Sequence, residues 1–303
     1  MHTHHRPILA FALLLAALPG APYEARAQHA GAVTLTHVHG LAYSADGKQL
    51  MVPSHHGLAV YRDGKWSMAA GPQHDYMGFA AARTRLYSSG HPAAGSGLVN
   101  PFGLIRSVDS GKTWEKLGLE GESDFHLLAV SWNTNAVYVW NHERNSKMPA
   151  AGIHFTLNDG FTWRSAAAKG VGGKPRAIAV HPGDANTVAV ATSSGIFLSR
   201  NSGDSFEPVP APGQGLAVFF DLDGKHLWHS NHDGSPRLIR AALAGGASTA
   251  AALPPLANDA VAYVAQNPAN PTEYAIATFE RSVYISRDAG KTWGQIARTG
   301  KGL

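Results

Sequence analysis

Four segments of this 303-residue chain follow one pattern: SVDSGKTW from Ser107, TLNDGFTW from Thr156, SRNSGDSF from Ser199 and SRDAGKTW from Ser286. A shortened relative, YRDGKW, begins at Tyr61. Each follows an apolar, strand-like run such as Gly195-Ile196-Phe197-Leu198 or Val283-Tyr284-Ile285. The pattern carries the chemistry of a hairpin turn: the Asp or Asn side chain accepts from turn amides, Gly takes a positive φ, and the closing aromatic packs on the sheet. A unit that recurs at this spacing buries its faces only by stacking on its own copies. A chain of such units is one repetitive domain.

Reading outward from the turns gives four strands per unit. Around the third turn they are Ala177–Val180, Thr187–Val190, Ile196–Ser199 and Phe206–Val209, and the same grammar recurs from Val261 to Trp293. Units fall at about 37–71, 72–119, 120–170, 171–212, 213–256 and 257–303. The fifth has lost its turn motif, since 238–249 contains no Asp-Gly. Six four-stranded units predict an all-β fold, a six-bladed propeller, the radial arrangement that leaves few free sheet edges; a seven-bladed ring is the alternative. Residues 28–36 either add an outer strand to the last blade or form a tail.

These motifs resemble the Asp-box, or BNR, repeat S-x-D-x-G-x-T-W, and the resemblance covers nearly all of the chain after its leader. Asp-box propellers include sialidases, sortilin-type receptors, some xyloglucanases and a photosystem assembly factor. The opening HVHGLA with the later SHHG is also similar to bacterial proteins grouped as glycosyl hydrolases of this class. For a sialidase the resemblance implies an arginine triad, a Tyr and Glu nucleophile pair and an Asp acid/base. An Arg-Ile-Pro type motif near the start of blade one is replaced here by His37-Val38-His39-Gly40. Arg144, Arg176 and Arg281 offer substitutes, but none sits in a recognisable sialidase context.

The N-terminus reads as an export signal over residues 1–27: basic residues to Arg6, an apolar run from Ile8 to Leu18, and the small-residue site Ala25-Arg26-Ala27. The run is too short to span a bilayer, and no later segment offers about 18 uninterrupted apolar residues. The expected mature chain, 28–303, is a single periplasmic or secreted domain that does not span the membrane. It has no cysteine, so a metal must be held by His, Met, Asp or Glu. The net charge is +4, and losing Arg6, Arg26 and Glu24 with the leader leaves +3. Without a basic stripe, nucleic acid is not an expected partner.

Histidine is the anomaly, at 17 residues, of which only His2, His4 and His5 precede the apolar run of the leader. Aligned on the turns, the entrances to the innermost strands hold His39, Met77, His126, Arg176, Gln214 and Asp259. The exits of the second strands hold His55, His91, His142, Ser193, His232 and Glu280. In a propeller these twelve positions ring the channel on the face opposite the turn motifs. Seven of them are His or Met, which points to metal ligation. His37 should point as His39 does by strand alternation, Asp75 and Asp124 hold the matching places in units two and three, and His56 lies beside His55. His29, His154, His181 and His226 occupy unremarkable positions.

The expected site is therefore a transition metal held among His37, His39, His55, His56, Met77, His91, His126, His142 and His232. A thioether among imidazoles favours copper, with zinc second. Ligands of one ion would bring their nitrogens within about 4 Å of each other. The competing plain reading is that a wet channel mouth uses histidines to bond strands and water. A second functional reading is a glycosyl hydrolase in which Asp259, Glu280, Asp75 or Asp124 supply the paired carboxylates, Asp259 and Glu280 sharing one blade and one face; such a pair must lie about 5 to 10 Å apart. A third is a scaffold that docks an exported protein partner or small ligand on the same face.

Overall fold

The computed structural model describes residues 33–303. The expected leader, 1–27, lies outside the described residues. Six antiparallel sheets follow one another along the chain, five with four strands and the last with five. Their innermost strands are Ala42–Tyr43, Asp75–Ala81, Leu128–Val130, Pro175–Val180, Gln214–Phe220 and Val261–Asn267. Each sheet runs outward in sequence order from its innermost strand. The molecule is a six-bladed β-propeller. Among the described residues there is no helix, and so none long and apolar enough to cross a membrane.

The core is six layers, one between each pair of neighbouring blades. Successive side chains of a strand point to opposite faces, and both faces of a blade are buried. In the third blade, Val137 and Val139 pack toward Tyr87 and Leu104 of the second, while Ala136 and Tyr138 pack toward Val180 and Val188 of the fourth. This explains strands that are apolar at both parities. The sixth layer joins Leu41, Tyr43 and Val52 of blade one to Ala275, Val283 and Ile285 of blade six.

Residues 33–35 close the ring along the outer edge of blade six. Thr34 bridges Lys301, Leu35 N–H donates to the Gly300 carbonyl at 2.7 Å and Gly302 N–H to that of Val33 at 3.3 Å. Residues 33–35 thus pair with the outer edge of the last blade, while 28–32 of that segment lie outside the described residues. Trp66 adds a second clasp, its Nε1–H donating to Ile296 O at 2.7 Å.

The four repeated turns share one bonding scheme. Gly111 N–H donates to Ser107 Oγ and Thr113 N–H to Asp109 Oδ1, at 2.8 and 2.9 Å. Thr156 with Asn158, Ser199 with Asn201 and Ser286 with Asp288 repeat it. The glycine and the residue before it both take positive φ, as in Ala289 at 61° and Gly290 at 85°. These glycines also face the preceding blade: a Cβ on Gly111 would come within 2.9 Å of Leu58, and one on Gly290 within 2.9 Å of Trp228. The motif is a spacer between blades as well as a turn.

Gly290→Ala should therefore cost more than about 1 kcal/mol in denaturant unfolding. The bonds from Thr113 hold Asp109 down from 3.8 to about 2. A carboxyl depressed on folding adds stability that is present above its unfolded pKa and is lost as pH falls toward the folded one. Asp109→Asn, the residue blades three and four already use here, should keep the fold at neutral pH and lose stability less steeply between pH 4 and 2. Parallel acid curves would show that the depression has no effect on stability.

Candidate metal centre

At the channel mouth, two short motifs set the histidines of blade one. In His37-Val38-His39-Gly40, Val38 packs on the layer shared with blade six, and alternation turns both imidazoles the other way. His39 N–H donates to Pro53 O at 3.2 Å, tying the segment to the end of the second strand. Gly40 permits a close approach, since a Cβ there would stand 2.9 Å from that of Phe79. Ser54 and Gly57 pair across a two-residue hairpin whose tip is His55-His56. His55 turns toward blade two, and His56 is exposed.

His37, His39 and His55 converge, each offering a ring nitrogen within 4.8 Å of the other two. Their ring centroids lie 4.5 to 5.6 Å apart. Asp75, the first residue of the second blade's innermost strand, adjoins the group. Its Oδ2 is 2.7 Å from His55 Nδ1 and its Oδ1 is 3.8 Å from His39 Nε2. Both Asp75 Oδ1 and His39 Nε2 are buried without a hydrogen-bond partner. Burial above all pushes the His39 pKa down to about 4, against the pull of Asp75 and with help from the neighbouring imidazoles. His39 is thus neutral at physiological pH, with Nε2 buried and unpartnered.

A second group lies one blade further round. His91 Nε2 and His126 Nε2 stand 3.1 and 2.7 Å from the same oxygen, Asp124 Oδ2. His126 is raised above its ordinary 6.5, chiefly by its bond to Asp124. Burial works against the charge of Asp124, yet the bonds from His126 and His91 leave it below the usual carboxylate range. His142 is exposed, its ring 6.3 Å from that of His126. The expected histidines thus form two groups on adjacent blades.

The remaining candidates lie apart. Met77 is buried in its own blade, beside Gly90. His232 accepts from Gly234 N–H at 3.4 Å in blade five. Asp259 Oδ1 accepts from two backbone amides, Ala260 and Glu280, at 2.8 and 3.0 Å, and so fastens a loop. Glu280 lines a cleft of about 550 Å³ with His37, His39, Arg176 and Arg281. Arg176 is the bulged residue of its strand and also lines the apolar central channel below. Sequence reasoning passed over Asp221 and His229. Asp221 is a buried hub that bonds Trp228 and Arg240 of blade five and Tyr274 of blade six, and His229 is buried with both ring nitrogens unpartnered. An Asp-Leu-Asp-Gly turn and a histidine inside a strand carry no local signal for either.

No protein-family model and no curated protein sequence matches the chain. Solved structures do. A GH74 enzyme from Niastella koreensis superposes over 88% of this chain and 46% of its own, with a TM-score of 0.59 and 17% identity. The GH74 xyloglucanase from Xanthomonas campestris gives 0.54 and 18% over the same shares. YCF48 bound to D1 peptide gives 0.50 and 17%, over 88% of this chain and 84% of that one. This chain spans less than half the length of the GH74 enzymes. At such identities the likeness establishes the propeller fold alone.

Nitrogen-detected NMR of metal-free protein should find His39 neutral down to about pH 4 and His126 titrating above 6.5. Since folding makes His39 harder to protonate, it withdraws stability as pH falls from 6.5 to about 4. An ordinary midpoint for His39 would contradict the burial described.

Proposed function

We propose that this protein is an exported Asp-box propeller that binds a divalent transition metal at its channel mouth, through His37, His39 and His55 with Asp75. The observation that carries this reading is the convergence of three imidazoles beside a carboxylate, with His39 Nε2 and Asp75 Oδ1 buried and unpartnered. A buried polar atom left without a partner costs about 1–3 kcal/mol, which a bound ion at that point would offset. Three nitrogens and an oxygen suit Cu(II) or Zn(II), and Cu(II) leads in the affinity order of divalent ions. Met77 lies outside the cluster, so the thioether argument for a softer copper ion falls away. The four turns support the Asp-box reading. The leader over 1–27 supports export to the periplasm or beyond, where binding or handling of the metal is the role.

The glycosyl hydrolase reading has the GH74 likeness in its favour, and that likeness is one of fold. Of its four carboxylates, Asp75 and Asp124 stand among imidazoles and Asp259 holds backbone amides. Glu280 alone faces the cleft freely enough to meet a substrate.

Titration of untagged, metal-free protein with Zn(II) and Cu(II) should give stoichiometric binding and a higher Tm, worth about 2.7 kcal/mol at a hundredfold excess over Kd. His39→Ala combined with His55→Ala should remove an equivalent of metal while circular dichroism shows the fold intact. No stoichiometric binding, or undiminished binding by the double variant, would overturn the proposal.

A further inference from the structure

We infer that the central channel of the propeller, with Arg176 at its mouth, binds a small aromatic carboxylate, the ring lying in the channel and the acid group on the guanidinium. The channel encloses about 160 Å³, and an apolar cavity of about 150 Å³ is large enough to take up benzene. Every blade contributes to its wall, through Leu41, Phe79, Leu128, Ile178, Val218 and Val264 in turn. Ile178, Leu127 and Phe219 are only half-buried, so apolar surface inside the ring is left for a ligand to cover. The inference stands apart from the metal reading and needs no ion.

Arg176 is placed at the mouth by a feature that several blades share. The innermost strands of blades two, four, five and six are bulged, between Met77 and Ala80, at Arg176, at Leu216 and at Ala262. A bulge takes a residue out of the ladder and re-aims its side chain. The other three hold Gly78 with Phe79, Leu216 and Ala262, so the bulge itself has no need of a charge. Arg85, Arg106, Arg237, Arg240 and Arg287 form ion pairs with carboxylates. Among the described residues Arg176 forms none, its Nη2 donating instead to neutral Gln214 Oε1 at 2.7 Å. The rest of its planar fork of N–H donors is the shape that meets the two oxygens of a carboxylate.

The channel and the cleft above it share His39, Arg176, Ala262 and Tyr263 as lining, so one ligand can reach both. Charge at this junction favours an acid. Arg281 and His37 also line the cleft, with Glu280 as its one carboxylate. The other acids of the mouth are engaged, Asp124 by His91 and His126 and Asp75 by His55. Burial lifts the Tyr263 phenol to about 12, so it stays a hydroxyl able to donate to an oxygen at the junction. An apolar wall with a few oriented polar groups at one end is the usual form of a small-molecule site. An aromatic acid matches both parts.

Full-length mature protein, kept metal-free with chelator and titrated calorimetrically with phenylacetate, should bind one molecule per chain. Acetate, which lacks the ring, and benzyl alcohol, which lacks the charge, should each bind at least roughly tenfold more weakly. Arg176→Gln should weaken phenylacetate roughly ten- to a hundredfold and leave benzyl alcohol unchanged. Ala262→Leu, which puts at this bulge the residue blade five has at its own, should weaken both by narrowing the channel. In the parent complex, nuclear Overhauser effects should run from the phenyl protons to the methyls of Ile178 and Leu127, and this readout serves if circular dichroism shows that Ala262→Leu does not fold. No saturable binding of phenylacetate would overturn the inference. Binding undiminished by Arg176→Gln or by folded Ala262→Leu, or binding without contacts to those methyls, would do the same. With chelator present the result is independent of the metal titration, so either reading can fail alone.

Discussion

Everything in this molecule depends on burying both faces of six small sheets. A lone blade would expose an apolar face on each side; in the ring each face meets its neighbour's, and burial in the six layers offsets the cost of ordering the strands. The requirement explains the glycines of the repeated turns. Gly111, Gly160, Gly203 and Gly290 lie against side chains of the preceding blade, at Leu58, Leu104, Ala166 and Trp228. A bulkier residue there would hold two blades apart. Blade five, which lacks the motif, turns instead through Gly245 and Gly246 at positive φ.

The ring also decides where chemistry can gather. Innermost strands begin, and second strands end, on one face, so residues remote in sequence meet across blade boundaries. Asp75 is such a junction, reaching His55 and His39 of the blade before it. The walls withdraw enough water to keep His39 neutral, yet the clefts above remain open to solutes. Small residues make room for this: Gly40 lets blade one approach Phe79, and Gly57 takes a φ of 106° to close the hairpin that presents His55.

Much of the fold was legible because a turn motif is local. Its hydrogen bonds span four residues, so the sequence alone marks each blade, and the strands around Ser199 begin and end within two residues of expectation. The site was legible only as a set. Alignment on the turns singled out His37, His39, His55, His91 and His126, which the fold gathers into two groups, but three features escaped it. Bulges in the innermost strands, such as that at Arg176, shift the register without a sequence signal. Spacing says nothing of which imidazole turns inward, so His55 and its neighbour His56 look alike until the hairpin is built. The bonds from Asp75 to His55 and from Asp124 to His91 cross blade boundaries, and partners from adjacent blades have no fixed separation in sequence.

The closing segment gives blade six and the histidine cluster a common fate. Leu35 is bonded to Gly300, and His37 follows two residues later. The first described residues therefore pair with residues 300–302, so His37 and His39 sit on the segment that links blade six to blade one. Asp75 lies on the other side of the same histidines, 3.8 Å from His39, so the segment that closes the ring also touches blade two.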